Sequence, residues 1–236
     1  MKFKKYALWA VFYGAVVTFF IAGAYWGSCA VTVMAQQAPL EREHTIVIDA
    51  GHGGEDGGAV SCTGVMEKEI NLEITLKLND LFQLLGFQTQ NIRTTDISVY
   101  TEGSTIAQKK VSDLKNRVRI LSETEDPILI SIHQNLYPDA RYSGAQVFYA
   151  AAGEGQALAQ DIQEAFVQTL NPGSRRQIKE AQGIYLMEQA KCTGILVECG
   201  FLSNPQEESM LRSANYQRKI CCVIASSLAN FLDHQT

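Results

Sequence analysis

Two histidines and a few carboxylates carry most of the chemistry open to this chain. His52 lies just after the apolar run TIVIDA (45–50), and His133 closes ILISIH (128–133). Glu198 closes a third run, GILVE (194–198). Short β-branched runs of this kind read as buried strands. A polar residue in mid-strand would be buried without a partner, whereas groups at strand ends converge on one edge of a sheet. Two imidazoles and a carboxylate form the donor set of a catalytic zinc ion with one position open to water. Such an ion acidifies water and polarises a carbonyl. The third ligand is to be chosen among Asp49, Glu55, Asp56, Glu67 and Glu69. Glu67 is favoured because it opens a helix, where the positive dipole end suits a carboxylate, and the glycine-rich loop 51–64 can fold it over His52. Glu198 then suits a general base that takes a proton from water and returns it to a leaving nitrogen. His44 and His234 read as solvated surface residues.

The elements that must position these groups alternate between strand and helix. Strands are expected over 45–50, 87–93, 128–133, 143–150, 183–187 and 194–198. Helices are expected over 67–85, 110–122, 155–170 and 215–234; in the first, Ile70, Ile74, Leu78 and Leu81 share a face and Gly86 supplies the stop. This alternation predicts a single α/β domain over 45–236, with a mostly parallel twisted sheet flanked by helices on both faces. Such sheets place ligands at the carboxyl ends of their strands, where the two histidines and Glu198 fall. The loop at 51–64 lacks the Gly-Lys-Ser/Thr ending of a P-loop, and no G-x-S-x-G elbow is present.

The amino terminus carries an address. Lys2, Lys4 and Lys5 precede Tyr6–Trp26, which is free of charge and as a helix would span about 31 Å, the thickness of the bilayer core. With a basic cytoplasmic flank, residues 1–26 are expected to be a retained membrane-spanning anchor, 27–44 a linker, and the rest extracytoplasmic. The alternatives are a signal peptide cut after Ala35, which would release a secreted protein, and a lipoprotein signal at Cys29. The formal net charge of −5 leaves no basic face for nucleic acid. The six cysteines include no C-x-x-C pair, so a structural zinc site is unsupported, and most read as buried thiols.

The segments IDAGHGGEDGGAV (48–60), EKEINL (67–72), ISIHQN (130–135) and ILVECGFLSN (195–204) resemble the four signature motifs of the zinc-dependent N-acetylmuramoyl-L-alanine amidases of the Amidase_3 type. The resemblance runs from about residue 45 to 234, with the motifs in order. It implies one zinc ion held by His52, Glu67 and His133, with Glu198 catalytic, and so selects Glu67 over the other carboxylates. One departure is Ala50, where the family's first motif has proline. Asn135 and Asn204 fall where the resemblance suggests contact with substrate or with the ligands. The implied reaction is hydrolysis of the amide between the lactyl group of N-acetylmuramic acid and L-alanine, with peptidoglycan glycan strands and their stem peptides as substrate. The stretches TEGSTIAQKK, SGAQVFYA and GIYLM, with the amino-terminal anchor, are similar to a sporulation branch that prepares muramic-δ-lactam in the spore cortex. For that branch the expected site is the intermembrane space of the forespore, and an accessory protein is a further expected partner. Alternatives to the amidase reading are another zinc-dependent wall peptidase or deacetylase, and a silent wall-binding protein.

Overall fold

Strand β1 (Thr45–Ala50) lies inside the sheet because all but its first residue is buried. In this computed structural model the described residues are 44–234; the anchor, Cys29, the Ala35 cleavage position and the linker up to 43 lie outside them. Around β1 are arranged α1 (Glu67–Leu84), β2 (Gln88–Asn91), α2 (Ile106–Glu123), β3 (Pro127–Asn135), β4 (Gln146–Tyr149) and α3 (Gly155–Thr169). The chain continues through β5 (Lys179–Glu180), α4 (Tyr185–Gln189), β6 (Gly194–Phe201), α5 (Pro205–Leu211) and α6 (Ala214–Asp233). Among the described residues no helix is long and apolar enough to cross a membrane.

The strands order as β2-β1-β3-β6-β4-β5. The first four run parallel, and β4 pairs antiparallel with β6, so the sheet is mixed. Alternation along the strands sorts side chains to two faces. Ile48, Ile130, Ile132 and Val197 join Leu78 of α1, Ile162 of α3 and Ile224 of α6 in the larger core. On the opposite face Val47, Leu129 and Leu196 meet Leu121 of α2 and Met187 of α4. The expected single α/β domain with helices on both faces is therefore present, built on a mixed sheet.

Three local expectations change. The strand expected over 183–187 is absent: Tyr185–Gln189 is a short helix, and the edge strand is instead Lys179–Glu180. Aromatic and apolar residues in GIYLM suit strand and helix alike, and Leu186 and Met187 are buried as a helical pair. Helix α2 begins at Ile106 rather than 110, fixed by a capping box in which Thr105 and Gln108 bond each other's backbone N–H. Helix α5 was not expected, although Asn204 caps it and Pro205 fills its first turn. All five described cysteines are free; Cys199 and Cys221 are buried, but Cys62 and Cys222 are exposed and Cys192 lies between.

Candidate metal centre

The parallel ladder sets His133 on β3 directly beside Glu198 on β6, both at the carboxyl edge. Neighbouring β1 ends at Ala50, directly before Gly51 and His52. His52 has a positive φ of 62°, a left-handed conformation that costs a non-glycine residue about 1–2 kcal/mol. Something must hold it there, and two buried arginines do. Arg117 of α2 donates to the carbonyl of His52 at 2.7 Å and to that of Ala50 at 3.0 Å. Arg93 donates to Ala50 and Gly51 at 2.9 and 3.0 Å, and also to Lys68 and Thr95. The turn that carries Ala50 in place of the family's proline is thus gripped through its carbonyls.

Arg117 is itself compensated by Asp49 and by Asp113, the latter at 2.6 Å, and Ser131 donates to Asp49 at 2.6 Å. Burial opposes ionisation of Asp49, but Arg117 outweighs it and leaves the carboxyl below its ordinary range. The same carboxylates keep Arg117 charged despite its burial.

His52, Glu67 and His133 converge: one donor atom from each lies within 4.8 Å of the other two. Glu67 Oε2 stands 3.1 Å from His52 Nε2, and Glu67 Oε1 stands 2.9 Å from His133 Nδ1. The Glu67 carboxylate also accepts from the backbone N–H of Ala59 and Gln134 and from the Asn71 amide. Burial opposes its charge, yet the two imidazoles outweigh burial and hold it well below the carboxylate range. Asp56, one of the alternative ligands, instead faces the far nitrogen of His52, Nδ1, at 2.9 Å. Burial pulls His52 down, but Asp56 and Glu67 overcome it and bring the ring to about 9. Glu55 is turned away to an ion pair with Lys109 at 2.6 Å, and Asp49 serves Arg117.

Two glycines leave room for this approach. A Cβ on Gly51 would collide with the His133 ring. At Gly58 (φ +68°) it would stand 2.6 Å from Glu67 Oε2 and 2.7 Å from the His52 ring.

Glu198 makes no ion pair with these groups. Its Oε2 is buried and has no hydrogen-bond partner, and burial pushes the carboxyl up to about 7. A buried polar atom left open beside two imidazoles and a carboxylate marks a place for a polar reactant. The donor set therefore fits a catalytic zinc: two imidazoles, one ionised carboxylate, a carboxylate orienting one ring from behind, and an uncommitted carboxyl at the mouth.

Asn135 ends β3, and its carbonyl accepts from Leu202 N–H at 2.8 Å. The Asn204 side chain accepts from Gln206 and Glu207 N–H as the cap of α5 and donates to Tyr142. Arg93, Arg117 and Asn71 were not singled out by sequence; charged residues in a loop-edge strand and a helix read as surface.

Residues 46–230 match the N-acetylmuramoyl-L-alanine amidase family. The chain is 36% identical over 188 residues to the germination-specific N-acetylmuramoyl-L-alanine amidase of Bacillus subtilis, covering 79% of this chain and 78% of the relative. Among solved structures it resembles the CwlD amidase of Clostridioides difficile, solved in complex with the GerS lipoprotein, with a TM-score of 0.77 and 37% identity over 80% of this chain and 98% of that one. An N-acetylmuramoyl-L-alanine amidase from Clostridium difficile 630 gives a TM-score of 0.69 at 30% identity, covering 82% and 98%. With four motifs in order, one convergent donor set and relatives that share nearly the whole domain, the chain belongs to the N-acetylmuramoyl-L-alanine amidase family.

Proposed function

We infer that this chain hydrolyses the amide joining the lactyl group of N-acetylmuramic acid to L-alanine, releasing stem peptides from peptidoglycan. The observation that carries the reading is Glu198: a half-buried carboxyl whose buried Oε2 has no hydrogen-bond partner, ladder neighbour of His133, beside the convergent His52–Glu67–His133 donors.

The ion these donors would hold is zinc, through the ring nitrogens that face Glu67 and the Glu67 carboxylate. When bound, it supplies Lewis-acid polarisation of the scissile carbonyl and lowers the pKa of water. Glu198 takes the proton from the attacking water and delivers it to the departing alanine nitrogen. Burial raises the Glu198 carboxyl to about 7 before any metal is bound, which suits a group that takes up and returns a proton. Asp56 keeps the Nδ1 proton on His52 and so leaves Nε2 facing the site. Arg93 and Arg117 hold the His52 turn fixed through the cycle.

The test is to incubate residues 36–236 with peptidoglycan and zinc and to look for free stem peptides; glycan strands that keep their peptides defeat the reading. Glu198→Gln is expected to retain zinc by elemental analysis and to lose turnover by roughly 100- to 10,000-fold, the usual range for a general base. Strong residual activity would remove Glu198 from that role.

The likeness to a germination-specific amidase supports a place in spore cortex, where the product would feed muramic-δ-lactam formation. A neighbour solved with a lipoprotein supports an accessory protein as partner. The uncharged run Tyr6–Trp26 behind three lysines supports an anchor at 1–26, a linker at 27–44 and an extracytoplasmic domain in the forespore intermembrane space. Fractionation tests the anchor: deleting residues 1–26 should move the chain from membrane to soluble fractions, and a wild-type chain already soluble would favour cleavage after Ala35.

A further inference from the structure

Beyond Glu198 the sheet continues into a part of the molecule that the reaction leaves unused. Gln146 of β4 is the antiparallel ladder partner of Glu198, so their side chains share a face. Gln146 Oε1 in turn accepts from Arg176 Nη1 at 3.0 Å. His133, Glu198, Gln146 and Arg176 therefore form a row across adjacent strands and out to the loop before β5. The row ends in a cleft of about 1020 Å³ bordered by Arg141, Tyr142, Arg175, Arg176, Asn204 and Glu207.

Arg176 is built into this cleft rather than waving over it. Its Nε donates to the carbonyl of Ser143 at 2.8 Å, and its guanidinium lies 4.4 Å from the centre of the Phe201 ring. It is half-buried and makes no ion pair among the described residues, and its Nη2 donates no hydrogen bond among them. Of the acids nearby, Glu207 attracts Arg176 through space without an ion pair, and its oxygens are spent on backbone N–H groups. Glu207 accepts the backbone N–H of Gly144 and Phe201, each at 2.8 Å, and Asp139 pairs with Arg141 at 2.6 Å. A planar cation fixed by its neighbours, with free N–H donors facing a cleft, fits a carboxylate held through charge-assisted bonds.

We propose that Arg176 is a specificity-determining residue that binds the first free carboxylate of the stem peptide, on the residue that follows L-alanine. This rests on the amidase reading, which places the scissile bond beside Glu198. An extended peptide advances about 3.3–3.6 Å per residue, so a carboxylate on the second residue falls about 7 Å beyond the scissile nitrogen, in reach of the end of the row. A γ-linked glutamate bears such a group; its amidated form has the same shape and no charge.

The experiment uses the full chain and the product tripeptide L-alanyl-γ-D-glutamyl-diaminopimelate, with the glutamate α-carboxyl either free or amidated, titrated by calorimetry. The free acid should bind about tenfold or more tightly than the amide. Arg176→Gln should bring that ratio close to one, and Arg176→Lys should restore part of it. Equal binding of both forms by the native chain, no measurable binding of either at millimolar peptide, or a preference that survives Arg176→Gln would each overturn the proposal. The comparison in the native chain needs no mutant to fold. Cleavage is read separately on muramoyl peptides. Cleavage with equal binding overturns the Arg176 assignment and leaves the amidase reading standing. Carboxylate-dependent binding without release of stem peptide does the reverse.

Discussion

A metal takes a lone pair from a neutral imidazole, yet the surroundings of His52 favour the charged ring and bring it to about 9. Below that value zinc has to displace a proton, so its apparent affinity should fall as pH falls, by about tenfold per unit if one proton is exchanged. Zinc titration from about pH 8 to about pH 6 in buffers of different ionisation heat measures both affinity and released protons; a flat profile would sink the idea. Asp56 is the first of the carboxylates responsible for the raised value, and it also fixes the ring's tautomer. Asp56→Asn should therefore weaken zinc by roughly 10- to 100-fold, the usual effect of losing such a partner. It should also flatten the pH dependence, because the displaced proton is then held less firmly. Stronger zinc binding in that variant would mean that the proton competition outweighs the orientation.

The elements matter here through what clamps them. Arg117 ties α2 to the end of β1 and to the His52 carbonyl, with Asp49 and Asp113 as buried counter-charges. Arg117→Met leaves two carboxylates without their cation, so a loss of about 3–5 kcal/mol is expected in urea unfolding. Adding Asp49→Asn should recover part of that loss, since one stranded charge is removed; no recovery would place the cost elsewhere. This clamp also marks the limit of what sequence conveys. His52, His133 and Glu198 were legible because an apolar strand followed by a polar residue is unusual, and Glu67 needed the family resemblance to stand out from four other acids. Arg93 and Arg117 gave no such signal, because a charged residue in an amphipathic segment reads as solvent-facing until its carbonyl partners are known. Helix α5 was written in Asn204-Pro205, but at seven residues it is too short for periodicity to reveal. The opposite error occurred at 183–187, where burial decided helix over strand.

For the molecule as a whole, the site makes stability depend on pH. Asp49 has a folded pKa below its ordinary 3.8, so its contribution is present above that value and is lost as pH falls through the folded one. At the other end, His52 is raised from 6.5 to about 9, so what it adds is full below 6.5 and declines as pH rises through 9. Glu198 acts in the same direction: raised from 4.5 to about 7 by burial, it stays protonated in the fold while the unfolded chain ionises. Stability therefore falls between those two values and stays lower above them. The metal-free chain should then be most stable in mildly acidic solution and weaken toward pH 8. Removing the ionisable group at 198 tests the origin of that decline. Glu198→Gln should stabilise the metal-free chain near pH 8 by on the order of 2 kcal/mol, and should change little near pH 4.5, where the carboxyl is protonated in the fold and only half ionised when unfolded. Equal effects at both pH values would trace the change to packing instead of charge. Zinc should raise the native chain's unfolding midpoint more at pH 8 than at pH 6, because the proton it displaces from His52 competes at a hundredfold lower proton concentration there. A larger zinc effect on the acid side would contradict this assignment of the proton to His52.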